Sequence, residues 1–267
     1  MADLDPDRTT PDAVLRYAAH DEGILDVHLP PSYDAGDGGT DAAAVLFLVH
    51  GGFWRVEHDR THTRPMARAL ADAGLVVVTP EYRRVGGRGD LAGGWPTTAE
   101  DVATAYDALP GLLSELGVRI GRLTALGHSA GGHLVLWLAT RADEGDGPRL
   151  DRVVGLAPVG DLCAAAAERM GNGAVQGFLG GEPADVPSHY AAADPALRLD
   201  SRPRAEVVVV HGEADEHVGL ANTLGLEARH PWILLTRIEG ADHFDVIDPG
   251  SEAWPVVLAA ARADAVV

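Results

Sequence analysis

The sequence predicts an α/β fold with a mostly parallel, doubly wound sheet and helices on both faces. A series of short apolar runs rich in Val, Ile and Leu is separated by stretches whose apolar residues recur at helical spacing. Continuous apolar runs of this length are typical of strands buried on both sides of a parallel sheet. The regular alternation of strand and helix along one chain indicates that all these strands belong to the same sheet.

The strands are predicted in order along the chain. An N-terminal lead, expected to be disordered or helical, precedes a first strand at 24–29, and a Gly- and Asp-rich turn follows at 33–41. The parallel pattern then begins, with strands predicted at 45–49, 75–79, 123–126, 153–156, 207–210 and 233–238.

Helices are predicted between these strands, at 63–73, 97–116, 130–141, 218–229 and 252–263. Gly74 and Gly117 stand where C-terminal caps of two of them belong. No repeat or low-complexity linker interrupts the series. We therefore expect a single domain over residues 1–267, with 46% hydrophobic residues to form its core.

Residues 161–200 differ in composition, being Ala-rich, then Gly-rich, then interrupted by prolines. Because this segment lies between two core strands, it is predicted to be either a small lid over the site or an ordinary helical connection. As a lid it would bring Met170, Phe178 and Tyr190 to the acyl or leaving-group pocket.

The charge balance excludes some partners. The chain has 40 acidic and 21 basic residues, a formal charge of -19, which repels nucleic acid and anionic membrane surfaces. No secretory signal or membrane-spanning run is expected, and the single Cys163 agrees with a reducing compartment, so a cytoplasmic location is predicted. Oligomeric state is not determined by the sequence.

The pentapeptide Gly127-His128-Ser129-Ala130-Gly131 has the form of a nucleophile elbow, since it follows an apolar run and precedes a predicted helix. Such a tight strand-to-helix turn needs small residues beside the serine, because a Cβ there would collide with neighbouring backbone. The pattern predicts Ser129 as a nucleophile.

An oxyanion-binding loop is predicted upstream of the elbow. Gly51 and Gly52 follow a buried strand, and paired glycines allow backbone N–H groups to approach a substrate oxygen closely. Ala130, the residue after the nucleophile, supplies a further candidate donor.

An acid and a histidine complete the predicted site. Asp215 follows the strand at 207–210, and His243 follows the strand at 233–238. Glu213 and Asp242 are alternative acids, and Asp215 is also suited to cap a helix, but its distance from the strand favours it as the partner of the histidine.

The other histidines are interpreted structurally. His58 and His62 are four residues apart, yet no third ligand stands at a diagnostic spacing, so no metal site and no cofactor are predicted. His50 and His211 end strands and are expected to orient loops, while His128 lines the elbow.

These segments together resemble α/β-hydrolases of the esterase and kynurenine formamidase (arylformamidase) group. The similarity extends from about residue 24 to the C-terminus and rests on His50-Gly51-Gly52-Phe53-Trp54, on the elbow, on Pro80-Glu81-Tyr82-Arg83, on His211-Gly212 with Asp215, and on Asp242-His243-Phe244.

The resemblance implies that Ser129 attacks a carbonyl, that His243 transfers the proton and that Asp215 orients the imidazole. Gly51, Gly52 and Ala130 would hold the oxyanion. Phe53 and Trp54 would bind substrate by stacking on an aryl leaving group, unless they belong to the core. The implied substrate is a small molecule, either an arylformamide such as N-formylkynurenine or a short-chain ester.

Three other functions remain open from the sequence. One is a general carboxylesterase, and another is a peptidase of the prolyl-oligopeptidase kind, which normally carries a large additional domain. The third is a non-catalytic binding module on the same fold, which would typically lack a member of the triad.

Overall fold

The computed structural model describes residues 9–33, 42–142 and 147–262, through which one eight-stranded sheet runs. Its strands are β1 (Ala13–Arg16), β2 (Ile24–His28), β3 (Ala43–Val49), β4 (Val76–Pro80), β5 (Ile120–His128), β6 (Arg152–Leu156), β7 (Glu206–Gly212) and β8 (Leu234–Ile238). They lie in the order β1-β2-β4-β3-β5-β6-β7-β8. The first two strands pair antiparallel and the other six pair parallel, so the predicted mostly parallel sheet is confirmed.

The prediction of a disordered or helical lead is wrong for β1. This strand pairs with β2, with Ala13 opposite Val27, and forms the edge of the sheet. Only four residues long, it is half exposed, and so short an edge strand leaves too little periodicity to be recognised. Residues 1–8 and most of the predicted turn at 33–41 lie outside the described residues.

Helices cover both faces of the sheet, as predicted. They are α1 (Arg64–Asp72), α2 (Thr97–Glu115), α3 (Ala130–Ala142), α4 (Leu162–Ala167), α5 (Met170–Leu179), α6 (Pro187–Ala193), α7 (Pro195–Arg198), α8 (Leu220–Arg229) and α9 (Trp254–Arg262). Each of the five predicted helices is present, with ends shifted by at most two residues. Gly74 and Gly117 have φ of +98° and +76°, the left-handed conformation of a helix C-terminal cap.

Alternate residues of β3 enter two separate hydrophobic cores. Phe47 and Val49 pack in the larger core with α2, α3 and the helices between β6 and β7. Leu46 and Leu48 pack on the opposite face with α1 and α9. Because the strands are buried on both sides, they appear in the sequence as uninterrupted apolar runs.

The segment at 161–200 folds into α4, α5, α6 and α7, which pack on the larger core. Met170, Phe178 and Tyr190 are all buried there. Within the described residues, none of the helices is long and apolar enough to cross a membrane.

Candidate active site

The candidate residues meet at the carboxyl ends of the parallel strands. β3, β5, β7 and β8 are parallel, and the segments carrying Gly51, Ser129, Asp215 and His243 each follow the carboxyl end of one of them. In open α/β sheets this is the edge where ligands bind. Gly51, Ser129, Asp215 and His243 occur along the chain in the same order as their strands β3, β5, β7 and β8 occur across the sheet.

Ser129 occupies a strained turn between β5 and α3. Its φ is +55°, a left-handed conformation that costs on the order of 1–3 kcal/mol in a residue other than glycine. A Cβ at Gly127 would lie 2.2 Å from the Gly131 carbonyl oxygen, and one at Gly131 would lie 2.1 Å from that of Val49. Only glycine fits at either position, which explains the pattern of the elbow.

His243 is hydrogen-bonded to a buried acid. Its Nδ1 donates to Asp215 Oδ2 at 2.6 Å, and the other carboxylate oxygen accepts the N–H groups of His217 and Val218, both at 2.8 Å. Both oxygens of Asp215 are thus held, one by the imidazole and one by its own loop. The acid orients the histidine and closes the turn before α8 at the same time.

Asp215 remains ionised in this environment. Burial opposes the charge, but hydrogen bonds from His211 and His243 outweigh it and hold the pKa of Asp215 well below its usual range. A permanent carboxylate at this position fixes the proton of His243 on Nδ1 and leaves Nε2 free to accept one.

The two alternative acids contact other groups. Glu213 pairs with Arg237 at 3.5 Å on the surface, and Asp242 Oδ1 accepts the N–H groups of Phe244 and Asp245. Of the three acids considered, the structure brings Asp215 to the histidine.

Ser129 and His243 are brought together through His128. Its ring lies 4.5 Å from the His243 ring, between centroids, and its Nε2 donates to the His243 carbonyl at 2.9 Å. Within the described residues, no hydrogen bond joins Ser129 Oγ to His243. Ser129 is 2% exposed and His243 is 4% exposed, so only a narrow approach leads to them.

The oxyanion candidates Gly51 and Ala130 lie next to Ser129. Ala130 is the first residue of α3, so its N–H has no carbonyl one turn earlier in the helix to bind. A Cβ built on Gly51 would lie 3.2 Å from the Cβ of Ser129, which places that glycine directly beside the serine. Gly52 follows with a φ of +106°.

The structure corrects the prediction that Trp54 binds substrate. Trp54 is fully buried, and its ring is stacked on Phe178 with centroids 4.6 Å apart. The indole of Trp54 therefore belongs to the larger hydrophobic core. Phe53 is partly exposed and lies against Gly171, where a Cβ would come within 2.7 Å of the ring.

Two aromatic residues beside His243 were not predicted as part of the site. Phe244 is 53% exposed, and its ring centroid lies 5.3 Å from that of His243 and 5.1 Å from that of His217. His217 is also exposed. The sequence gives only a slight indication of their role, because Phe244 merely follows His243 and His217 merely follows the Asp215 segment. Only the fold shows that the two rings meet.

The remaining histidines orient the backbone. His50 and His211 hold neighbouring loops by hydrogen bonds, as expected from their positions at strand ends. His58 and His62 are exposed. Over the described ranges, no three His, Cys, Asp or Glu side chains are grouped to hold a metal ion.

Two curated proteins are similar to parts of the chain. Preu3, a non-reducing polyketide synthase of Preussia isomera, is 35% identical over 119 residues, which are 43% of this chain and 5% of that protein. YtmA, an uncharacterized peptidase of Bacillus subtilis (strain 168), is 29% identical over 164 residues, 60% of each chain. The chain thus spans less than two thirds of the length of either relative.

Solved structures of low sequence identity share the fold. A thermophilic esterase from the Planctomycetes species Thermogutta terrifontis, solved with propionate bound, superposes with a TM-score of 0.71 at 21% identity. The match covers 96% of this chain and 93% of the esterase. It establishes the α/β-hydrolase fold.

The family follows from a match that covers most of the chain. The family model described as BD-FAE matches residues 25–229, a range that includes the oxyanion loop, the elbow and the acid. His243 lies beyond its end and is assigned by its contact with Asp215. The chain belongs to the BD-FAE family of α/β-hydrolase esterases.

Proposed function

We propose that this protein is a serine carboxylesterase that cleaves short acyl groups from ring-bearing alcohols by way of an acyl-enzyme. The observation that carries the proposal is the 2.6 Å hydrogen bond from His243 to buried Asp215, formed next to the strained elbow of Ser129. A base oriented by an acid beside a serine held in a strained turn is the arrangement that activates a hydroxyl nucleophile.

In the first half of the reaction, Ser129 Oγ bonds to the ester carbonyl carbon while its proton moves to His243 Nε2. The tetrahedral intermediate collapses, and the departing alkoxide takes that proton and leaves as an alcohol. In the second half, His243 removes a proton from water, whose oxygen bonds to the acyl carbon of the acyl-enzyme. The bond from that carbon to Ser129 Oγ then breaks, the serine oxygen takes the proton back from His243, and the carboxylic acid leaves. Asp215 stays ionised throughout and stabilises the imidazolium.

The negative charge of each intermediate develops on the former carbonyl oxygen. The N–H groups of Gly51, Gly52 and Ala130 are the donors proposed for it, the first two from the loop after β3 and the third from the start of α3. Removing one such donor from a serine hydrolase costs about 2.7–4 kcal/mol in the transition state.

Phe53, expected from the sequence to stack on the leaving group, is assigned in this proposal to the acyl side instead, where the crowding around it supports a short acyl group. Its ring lies against Gly171, and Arg55 bridges the same two segments by donating from Nη2 to the Gly171 carbonyl at 2.7 Å. Beneath the loop, Trp54 and Phe178 are stacked on each other and buried. Each further methylene squeezed into a closed site of this kind costs roughly 1–3 kcal/mol.

The leaving-group side is more open. Since His243 must deliver its proton to the departing alcohol, that alcohol lies beside His243, where Phe244 and His217 present exposed rings. Flat or ring-shaped leaving groups gain contact area on such rings. Acidic Asp242 and Asp245 flank Phe244, which favours an uncharged alcohol over an anionic one.

An arylformamide is the second candidate substrate. The observation that favours it is the same crowding on the acyl side, because formyl is the smallest acyl group, while the aryl amine would take the place of the ring-bearing alcohol. N-formylkynurenine is the specific compound to test.

The first experiment tests the nucleophile. A fluorophosphonate probe is expected to label the protein once, on Ser129, and the Ser129→Ala variant is expected to remain folded but unlabelled. Ser114→Ala, which removes a surface hydroxyl bonded only to the Gly111 carbonyl, is the matched control and should label normally. Labelling at another residue, or none, would contradict the proposal.

The second experiment tests the substrate. Aryl esters from acetate to octanoate and N-formylkynurenine are offered to the purified protein, and kcat/KM is measured for each. We expect acetate to exceed octanoate at least tenfold. A preference for octanoate overturns the short-acyl proposal, and cleavage of acetate without N-formylkynurenine removes the formamide alone.

A further inference from the structure

A buried polar cluster lies directly behind the oxyanion loop. His50 is the first residue after β3. Glu81, Tyr82 and Arg84 follow the end of β4, which is adjacent to β3 in the sheet. His50, Glu81 and Tyr82 are completely buried, and Arg84 is nearly so. None of these side chains takes part in the proton transfers proposed above.

The contacts of His50 determine its protonation. Nε2 lies 2.9 Å from Glu81 Oε1, and Nδ1 lies 2.9 Å from the Gly51 carbonyl oxygen. A carboxylate and a carbonyl are both acceptors, so each nitrogen must carry a hydrogen, whereas a neutral imidazole has only one. The Tyr82 hydroxyl cannot supply the second hydrogen, since it donates its own to the His50 carbonyl at 2.8 Å.

The surroundings stabilise a buried cation at this position. Glu81 accepts hydrogen bonds from His50, from the Tyr82 and Arg60 N–H groups and from the Arg84 guanidinium. Burial opposes ionisation of Glu81, but His50 and Arg84 outweigh it and lower the pKa of Glu81 to about 2. The other titratable or charged groups around His50 are Tyr82, His62 and Arg60. The Tyr82 ring is stacked on the imidazole with centroids 4.2 Å apart, the His62 ring centroid lies 5.7 Å away, and the Arg60 guanidinium lies 3.7 Å from Glu81 Oε2.

The hydrogen bonds to the two carbonyls fix the direction of the N–H groups in the loop. In a planar trans peptide, the carbonyl of one residue and the N–H of the next point in opposite directions. Tyr82 holds the His50 carbonyl and thereby directs the Gly51 N–H away from the cluster. His50 Nδ1 holds the Gly51 carbonyl and in the same way directs the Gly52 N–H.

We infer that His50 is a doubly protonated positioning residue which, together with Tyr82, aims the Gly51 and Gly52 N–H groups at the oxyanion. Glu81 keeps the imidazole protonated at Nε2 and fixes its plane. The cationic imidazole also places a positive charge next to the donors, since His50 immediately precedes Gly51 in the chain. This inference rests on the proposed function for the role of the two N–H groups, while the protonation of His50 rests on geometry alone.

The protonation is tested first, on the wild-type protein. Nuclear magnetic resonance of protein carrying ¹⁵N-labelled histidine, assigned with His50→Gln, should show a hydrogen on both ring nitrogens of His50 at neutral pH. Glu81→Gln, which removes the carboxylate but keeps its shape, should abolish one of these signals. A single N–H signal in the wild type overturns the inference whether or not the protein hydrolyses esters.

The positioning role is tested by kinetics. Tyr82→Phe should lower kcat for an aryl acetate about tenfold, and His50→Gln about a hundredfold, each with KM changed less than threefold. The affinity for an aryl trifluoromethyl ketone, whose adduct with serine carries the oxyanion, should fall in parallel with kcat. A structural role alone would lower stability without this parallel loss.

Tyr33→Phe is the matched control, because the Tyr33 hydroxyl also donates to a main-chain carbonyl, that of Leu116, at 2.8 Å. It should retain wild-type kcat and ketone affinity. If Tyr82→Phe and His50→Gln behave like Tyr33→Phe, or change KM alone, the positioning role is wrong.

If the wild type neither labels at Ser129 nor cleaves esters, the proposed function fails, and the resonance experiment still decides the protonation state of His50.

Discussion

His128 Nε2 donates a hydrogen bond to the main-chain carbonyl of His243 at 2.9 Å, so the residue before Ser129 holds the backbone of the histidine loop. Burial, reinforced by the nearby His243, lowers the pKa of His128 well below its usual value. His128 is therefore neutral, and its single ring hydrogen faces this carbonyl. The elbow and the histidine loop, far apart in sequence, are joined by one side chain.

Replacing this link should reduce both activity and stability. His128→Leu leaves the buried His243 carbonyl without its donor, which costs roughly 1–3 kcal/mol of unfolding free energy. Loss of alignment of the base should also lower kcat by as much as about a hundredfold. Urea unfolding and steady-state kinetics on an aryl acetate measure the two effects.

The control is His230→Leu, because His230 is equally buried and binds the Ala196 carbonyl at 2.9 Å away from the site. It should lose similar stability while retaining kcat. If the two variants lose kcat equally, the link from His128 to His243 has no specific role in positioning the base.

Replacing the acid tests its assignment. Asp215→Asn should reduce kcat by as much as about 10⁴, because the amide no longer enforces the required tautomer of His243. Glu213→Gln and Asp242→Asn, whose carboxylates contact other groups, should keep most of the activity. An active Asp215→Asn beside an inactive Glu213→Gln or Asp242→Asn would show that the acid is misassigned.

Phe53 and Trp54, adjacent in the chain, should respond differently to truncation. Trp54→Ala removes a fully buried ring from its stack on Phe178 and should cost about 3–5 kcal/mol of stability. Phe53→Ala should cost much less and instead raise kcat/KM for longer acyl chains relative to acetate. Thermal unfolding and the ester series measure these effects, and unchanged chain-length selectivity in Phe53→Ala would remove that residue from the acyl side.

The exposed ring of Phe244 should affect the leaving group. Phe244→Ala is expected to raise KM for a naphthyl acetate about three- to tenfold, the loss of a contact worth roughly 0.5–1.5 kcal/mol, and to leave KM for ethyl acetate unchanged. Leu234→Ala removes a similarly exposed apolar side chain from β8 and serves as the control. Equal changes for both esters would argue against a ring-binding subsite.

His133 should make stability depend on pH between about 6.5 and 4. Burial lowers its pKa from 6.5 to about 4, so in this interval the unfolded chain binds a proton that the folded protein does not. Stability is therefore complete above about pH 6.5 and falls as the pH drops towards 4, by up to roughly 3 kcal/mol. In His133→Gln, which retains a donor for the Ala193 carbonyl, the unfolding free energy should change less over this range. An equal slope in both proteins would contradict this account.

The candidate site residues could be proposed from the sequence because each is favoured by local chemistry. A tight turn after a buried strand requires Gly127 and Gly131 around Ser129, and parallel strands bring their carboxyl ends to the same edge, so loops distant in sequence converge. Periodicity alone likewise located six parallel strands and five helices. The half-exposed edge strand β1 was missed, since it shows hardly any such pattern.

What the tertiary structure decided is which neighbouring residues point inward and which point to the substrate. The sequence by itself determined the fold class, the elbow, the histidine and the set of three possible acids. Within that set the distance from the preceding strand already favoured Asp215. Packing across the sheet brought Asp215 to His243, buried Trp54 against Phe178, and left Phe244 exposed beside His243. Neighbouring residues such as Phe53 and Trp54 are of similar type and lie in the same loop. Whether each side chain is buried depends on contacts with other strands and helices, and the local sequence does not contain this information.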